Sequence, residues 1–476
     1  MKRSFLRENK NFLIIIFLTS IIFRLIFALP VFATIEKAIG PGSDAKNYIV
    51  LAKHLIEKQE FSVYPEETGY REAARTPGYP LFIVFSFLLS GARIWSVILL
   101  QCFLDACIAV LVFSIALLLF QNVTSALLAG ILYTVHPHQS LYTTQILSEI
   151  LFTFFIVISL ASFIFFLKKN TKVFLAFSGI FLGIATLTRP ISFYFFIPIL
   201  FILFLAFRKK IRTIAIQSII FLVSFFLVLT PWYVRNYSTY RRIFLSTIGN
   251  WNIGYYNAAF VIASKERMNL REAQSIIEEA VKKRYGISND DYTYASDNPE
   301  ICAQIASYGF EVIRKNPGRY AVLHMIGFLH TFVPMEYTFL YKLLGKQGIE
   351  RVGETTAISK AVISDTFRGR FASMFRTIMN ERFRKFPWWF TTIWFAFSLF
   401  QLLIYFLALR GFAHFWKQQK ILFLFFLLTI IYFAILPGPV GDARFRVPIE
   451  PILVLLAGAG LASKKASEPE KRRIGE

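Results

Sequence analysis

The chain is 476 residues long, 56% hydrophobic and only 17% charged, yet it carries a formal net charge of +23. A soluble globular domain carries about 25% charged residues, a disordered chain is poor in hydrophobic ones, and a nucleic-acid binder gathers its basic residues on one polar face. Here the basic residues lie between long apolar runs and the mean hydropathy is +0.54, which leaves a polytopic membrane protein.

A spanning helix needs about 20 mostly apolar residues. Ten stretches qualify: 11–33, 92–120, 123–140, 146–167, 172–188, 190–207, 212–234, 387–409, 420–437 and 446–463. The first follows Lys2, Arg3, Arg7 and Lys10 and is too long for a cleaved signal peptide. Lysine and arginine in short loops mark the cytoplasmic side. With the N-terminus inside, the basic loops 168–172, 208–212 and 410–420 and the tail 464–473 all fall inside. Both termini are then cytoplasmic, and the protein is expected in the cell (inner) membrane.

Two long stretches, 34–91 and 235–386, fall outside. In the first, Asp44, Tyr48, Ala52 and Leu55 recur at helical spacing, with Ser43 placed to cap the helix and Asp44 in its first turn. Arg75-Thr76-Pro77-Gly78-Tyr79-Pro80 then forms a rigid basic turn before the chain re-enters the membrane. In the second, Leu270 to Tyr285 reads as an amphipathic helix, with Ala273, Ile276, Ile277, Ala280 and Val281 on its apolar face. The stretch 319–345 is expected to lie on, or dip into, the outer leaflet.

Between Arg93 and Arg235 there are two carboxylates, Asp105 and Glu149. An ionisable residue at membrane depth is costly and marks a functional site by default. Asp105, mid-span, is expected to be protonated and hydrogen-bonded between helices. Glu149 opens the fourth span, Arg189 ends the fifth, Arg235 ends the seventh, and Arg444 and Arg446 precede the last. All are expected at the outer surface, beside Asp44 and Arg75. His136 and His138 flank Pro137 near the same surface, but a His-x-His pair is not a helical metal-ligand pair. The cysteines, Cys102, Cys107 and Cys302, form neither a disulfide framework nor a metal spacing. Arginine grips phosphate bidentately, so this is a site for a membrane-bound phosphate with a carboxylate beside it. That suits transfer of a group from a lipid phosphate to an acceptor.

The motifs in this order resemble the bacterial glycosyltransferase family 39 proteins: Asp44 with Tyr48 and Ala52, Arg75 to Pro80, Ser148-Glu149, Leu187-Thr188-Arg189-Pro190, Pro231 to Tyr237, and Arg444 to Pro451. These are relatives of protein O-mannosyltransferases and of the lipid A aminoarabinose transferase. The resemblance covers roughly 10–235 and 385–463. It implies a polytopic all-α, GT-C-like membrane protein with about ten transmembrane helices, and an inverting transfer of sugar from a polyprenyl-phosphate donor on the non-cytoplasmic face. Asp44 matches the catalytic acid of the first loop and would accept the acceptor proton. Glu149 matches a second acidic position, which orients acceptor or sugar or supports a divalent cation. Arg75, Arg189, Arg235 and Arg444 or Arg446 would contact phosphate, and Tyr48 and Tyr79 would position substrate. Where the eukaryotic enzymes carry Asp-Glu in the first loop, this chain has Asp44-Ala45, which weakens the case for a protein acceptor.

The expected organisation is a transmembrane module at 1–234 with its catalytic loop at 34–91, a mainly helical extracytoplasmic region at 235–386, transmembrane helices at 387–463 and a basic tail at 464–476. The expected partners are the polyprenyl-phosphate sugar, membrane lipids and an acceptor glycan, lipid or protein, with no nucleic acid. The competing readings are a polysaccharide polymerase or ligase and a lipid-linked sugar transporter or flippase.

Overall fold

The computed structural model describes residues 9–32, 44–64, 69–333 and 386–462, with the isolated positions 373 and 376. Ser43, most of 334–385 and the basic tail lie outside the described residues. Within them every regular element is helical. Six helices are long and apolar enough to cross a membrane: α1 (Lys10–Phe32), α4 (Ile94–Phe120), α7 (Glu149–Lys169), the run Pro190–Phe207 that ends in α9 (Phe196–Phe207), α10 (Ile211–Tyr240) and α17 (Trp388–Gln418). They coincide with six of the ten expected spans. The other four appear as shorter apolar helices: α5 (Val123–Thr134), α8 (Lys172–Thr188), α18 (Lys420–Ile435) and α19 (Glu450–Ala462). The causes are local. Pro137 stops α5 from continuing and opens the short α6 (Pro137–Thr143) in a new direction, and the residues before Pro448 fold as a tight 3-10 turn. One apolar helix, α3 (Gly78–Ser90), lies inside the expected outer loop. The whole is a multi-pass membrane protein.

Phenylalanine fills the bundle. Phe113, Phe163, Phe166, Phe195, Phe221 and Phe225 are fully buried, whereas Leu29, Leu88 and Leu227 on the outer surface are 65–71% exposed, as lipid contact requires. The helices α17 and α19 cross closely because Gly411 and Gly460 have no side chains. A Cβ on Gly411 would sit 1.9 Å from the Leu456 carbonyl oxygen. Lys168 Nζ donates to Gln419 Oε1 at 2.7 Å, and Gln419 Nε2 donates to the Leu119 carbonyl at 2.8 Å. The basic loops after α7 and α17 therefore share one end of the bundle.

Asp105 is hydrogen-bonded between helices, but its partner is charged. Arg24 Nε donates to Asp105 Oδ2 at 2.7 Å, and neither side chain is exposed. Tyr133 donates to Asp105 Oδ1 at 2.6 Å, while Arg24 also caps the last carbonyls of α5, those of Tyr133 (3.0 Å) and Thr134. One ion pair thus ties α1, α4 and α5 together and satisfies carbonyls that a helix end leaves open.

Beyond α10 the chain forms α11 (Ile248–Trp251), a π-helical turn at Asn252–Ala258, α12 (Ala259–Glu266), α13 (Leu270–Tyr285), α14 (Asn289–Thr293), α15 (Pro299–Lys315) and α16 (Pro317–His330). The expected amphipathic helix is α13. Asn269 and Glu272 cap it reciprocally, and Ala273, Ile277 and Val281 are buried against Ala259, Tyr292 and Ile305. Ile276, expected on that face, is 39% exposed. Of 319–345, residues up to 333 are described, and α16 takes those up to His330. It leans on the segment before α19, where His324 and His330 bond the carbonyls of Ile435 (2.8 Å) and Gly441 (2.6 Å).

Breaking a buried ion pair by removing one partner costs about 3–5 kcal/mol, whereas replacing both is close to neutral. Asp105→Leu is therefore expected to lower the thermal midpoint in detergent sharply, and Arg24→Leu with Asp105→Leu to recover most of it. Equal losses in the single and double variants would remove the pair from the list of fold determinants.

Candidate active site

The site lies at the end of the bundle opposite the basic loops, and its side chains come from five separate segments. Asp44 stands in the first turn of α2 (Asp44–Glu57), where the helix dipole favours a carboxylate. Arg75 ends the turn that leads into α3. That turn presses on the end of α8 because Gly78 has no side chain: a Cβ there would lie 2.7 Å from the Leu187 carbonyl oxygen. The contact sets the turn that carries Arg75 against the end of α8, which Arg189 caps. Glu149 is the first residue of α7. Arg444 lies in the 3-10 turn Ala443–Arg446, which Asp442 opens by accepting the Arg444 backbone N–H at 2.9 Å.

These five side chains form an alternating row. Arg75 Nη2 donates to Asp44 Oδ1 at 3.2 Å, and Arg444 Nη1 donates to Asp44 Oδ2 at 3.2 Å. Arg444 Nε and Arg189 Nη1 both donate to Glu149 Oε1. The row holds three cations and two anions. Its two carboxylates differ: the Asp44 side chain is 42% exposed and that of Glu149 only 2%. Burial raises the Asp44 pKa, but Arg444 and Arg75 outweigh it and hold the carboxyl below its usual value. Glu149 Oε2 is buried and accepts no hydrogen bond within the described residues. Tyr48 packs edge-on against Tyr79 at 4.8 Å and lies under the Arg75 guanidinium at 5.7 Å. Tyr79 is fully buried, and its hydroxyl is committed to Gln101 at 2.7 Å. Tyr48 is therefore the tyrosine at the row, with Tyr79 behind it.

Two expected phosphate ligands are placed elsewhere. Arg235 is boxed by Trp232, Phe61 and Tyr240, 4.8–5.6 Å from their ring centres, and donates to the Glu72 carbonyl at 2.9 Å. Arg446 is fully buried. It pairs with Glu450 and donates to the carbonyls of Thr331 (2.9 Å) and Val333 (2.8 Å). A 3-10 turn has three residues per turn, so Arg444 and Arg446, two apart, point to different sides.

Two further acidic residues escaped sequence reasoning. Glu450 collects Arg446, His136 (3.2 Å), His138 (3.8 Å) and Gln401 (3.3 Å) inside the bundle. The signal for it is the i,i+4 spacing of Arg446 and Glu450. Glu72 accepts the Arg75 backbone N–H at 2.7 Å and lies 3.4 Å from its guanidinium. Burial and the neighbouring Asp297 carboxylate push Glu72 up to about 8, against the pull of Arg75. Here the sequence signal is only an i,i+3 spacing.

The row does not fit a divalent cation. Glu149 Oε1 is taken by two guanidiniums, and both Asp44 oxygens face arginines. No cluster of three or more His, Cys, Asp or Glu side chains among the described residues is arranged for a metal ion. The arrangement is one for an anion.

Residues 74–234 match the family described as dolichyl-phosphate-mannose-protein mannosyltransferase. No curated protein matches the chain. Among solved structures, the archaeal oligosaccharyltransferase AglB from Archaeoglobus fulgidus, in complex with an inhibitory peptide and a dolichol-phosphate, superposes with a TM-score of 0.52 at 13% identity, over 96% of this chain and 50% of that one. The chain therefore spans about half the length of that enzyme. ArnT from Cupriavidus metallidurans bound to undecaprenyl phosphate gives 0.36 at 10% identity, over 94% of this chain and 78% of that one. The resemblance seen in the motifs is borne out: residues 74–234 carry the mannosyltransferase-family pattern, and the all-helical fold is similar to that of the archaeal oligosaccharyltransferase.

Proposed function

We propose that the protein is an inverting membrane glycosyltransferase that moves a sugar from a polyprenyl-phosphate donor to an acceptor on the non-cytoplasmic side. The observation that carries this reading is the part-exposed Asp44 carboxylate held between Arg75 and Arg444. The family match to dolichyl-phosphate-mannose enzymes points the same way. So does the sidedness: the row lies opposite the basic loops, which positive-inside logic assigns to the cytoplasm.

The chemistry follows from the charges. A row with one surplus cation attracts the donor phosphate, and arginine forks match its oxygens. When Arg75 and Arg444 turn to the phosphate, Asp44 loses the partners that depress its pKa and becomes a better base. Asp44 accepts the acceptor O–H proton. The acceptor oxygen attacks the anomeric carbon from the face opposite the phosphate, and the bond from that carbon to the phosphate oxygen breaks. The departing phosphate keeps the electron pair, and the arginines stabilise its added charge, interactions that strengthen as the bond breaks. Glu149 Oε2, buried beside the row without a donor, would accept from a sugar or acceptor hydroxyl. Arg235 and Arg446 hold the surrounding backbone instead of meeting phosphate.

The test uses membranes, labelled polyprenyl-phosphate sugars and identification of the labelled product. Asp44→Asn is expected to cut transfer by about 10²-fold or more while undecaprenyl phosphate still binds. Retained turnover would remove Asp44 as the base. Arg75→Leu and Arg444→Leu are each expected to weaken undecaprenyl phosphate binding by about tenfold to a hundredfold, since a hydrogen bond to a charged group contributes about 1.5–3 kcal/mol. Arg446→Leu is expected to lower the thermal midpoint more than it lowers that affinity.

A further inference from the structure

The backbone of the turn that carries Arg75 is hydrogen-bonded at most of its groups. The Arg71 carbonyl accepts from Tyr240 at 2.6 Å and the Glu72 carbonyl from Arg235 at 2.9 Å. The Ala73 and Ala74 N–H groups donate to Asp297 Oδ1 at 2.8 and 2.9 Å, and their carbonyls accept from the Thr247 N–H (3.1 Å) and the Ser246 hydroxyl. The Arg75 N–H donates to Glu72 Oε1. Asp297 arrives from a segment more than 200 residues away, is 2% exposed and also takes the Tyr64 hydroxyl at 2.5 Å. The Glu72 side chain is wholly buried, and its carboxyl and that of Asp297 accept from the N–H groups of adjacent residues, Arg75 and Ala74. Two carboxyl groups therefore converge, out of water, on the three residues that end in Arg75. Two carboxylates so placed do not both ionise readily.

We propose that Glu72 and Asp297 are positioning residues for Arg75: they share one proton, and while Glu72 holds it the Arg75 guanidinium is left to Asp44 and the donor phosphate. Ionised Glu72 competes for that guanidinium at its 3.4 Å contact and draws it from the row. The groups facing Glu72 are Arg75 on its own turn, Asp297, Tyr64, and Arg235 and Tyr240 at the end of α10. Of these it is the Asp297 carboxylate that opposes ionisation, with burial, and Arg75 that favours it. The proposal rests on the lipid-phosphate reading of the site.

Binding of undecaprenyl phosphate in detergent tests it between about pH 7 and about pH 9, above the second phosphate pKa of about 6. The wild-type protein is expected to lose about tenfold in affinity as Glu72 ionises and takes Arg75 away. Glu72→Gln, locked in the neutral form, is expected to hold a constant affinity over that range. Asp297→Asn keeps an acceptor for Ala73 and Ala74 but removes the opposing charge, so its loss of affinity is expected at lower pH than in the wild type. A role in folding alone would not move that midpoint. Parallel pH profiles in the wild type and Glu72→Gln would overturn the proposal. Absence of binding by the wild type at every pH would count against the proposed function, and the shared proton is then judged by unfolding alone. A carboxyl whose pKa rises from 4.5 to about 8 on folding stabilises the fold fully below 4.5, and that contribution is lost as the pH climbs to about 8. The thermal midpoint of Glu72→Gln is therefore expected to gain on the wild type across this window, and a constant difference would overturn the shared proton.

Discussion

The row Arg75–Asp44–Arg444–Glu149–Arg189 is the interaction on which the rest of this molecule depends. Its members come from the start of α2, the turn before α3, the start of α7, the end of α8 and the turn before the last helix, and its longest link joins residues 400 apart. A charge near the lipid boundary cannot be left without a partner, so each link fixes where a helix ends relative to the next. The row is balanced to within one charge. With equal numbers it would be a closed structural network; with one surplus cation it is stable alone and still attracts an anion.

The surroundings of the row explain why it can stay open without collapsing. Arg235 and Arg446 share the chemistry of the row arginines but spend their hydrogen bonds on carbonyl groups. Arg235 grips the turn that presents Arg75, and Arg446, through Glu450 and the two histidines, anchors the turn that presents Arg444. The turns that carry Arg75 and Arg444 are thus held through their backbones, which the proposed exchange of guanidinium partners requires. This is how a site keeps long, flexible side chains within the geometry that phosphate recognition demands.

The spans, the amphipathic α13 helix and the meeting of Asp44, Arg75, Glu149, Arg189 and Arg444 were legible in the sequence, because hydropathy and helix ends act locally and place these residues at one surface. The separation of Arg444 from Arg446 was not. It needs the 3-10 geometry of a four-residue turn, and both arginines look alike in an Arg-Phe-Arg string. The Arg24–Asp105 pair was half legible. A deep carboxylate announces that it needs a partner, but the partner lies in another helix, 81 residues away. Asp297 gave no signal and Glu72 only its i,i+3 spacing to Arg75, since neither stands in an apolar stretch and both act through a turn and a helical segment far apart in the chain.

The depth of the charges also bears on the competing readings. Transporters place polar groups and broken helices near the membrane midplane, where substrate passes. In this chain the mid-span carboxylate is Asp105, and Arg24 and Tyr133 take both of its oxygens with no exposure of either partner in the ion pair. It is spent on joining helices and offers nothing to a passing ligand. The two carboxylates of the row, the part-exposed Asp44 and Glu149, whose Oε2 accepts no hydrogen bond among the described residues, lie together at one end. Carboxylates and arginines gathered at one end suit chemistry at a lipid headgroup better than passage across the bilayer. On the proposed function the chain's positive charge does two jobs: the basic loops set orientation, and the arginines of the row, at the opposite end of the bundle, take the phosphate.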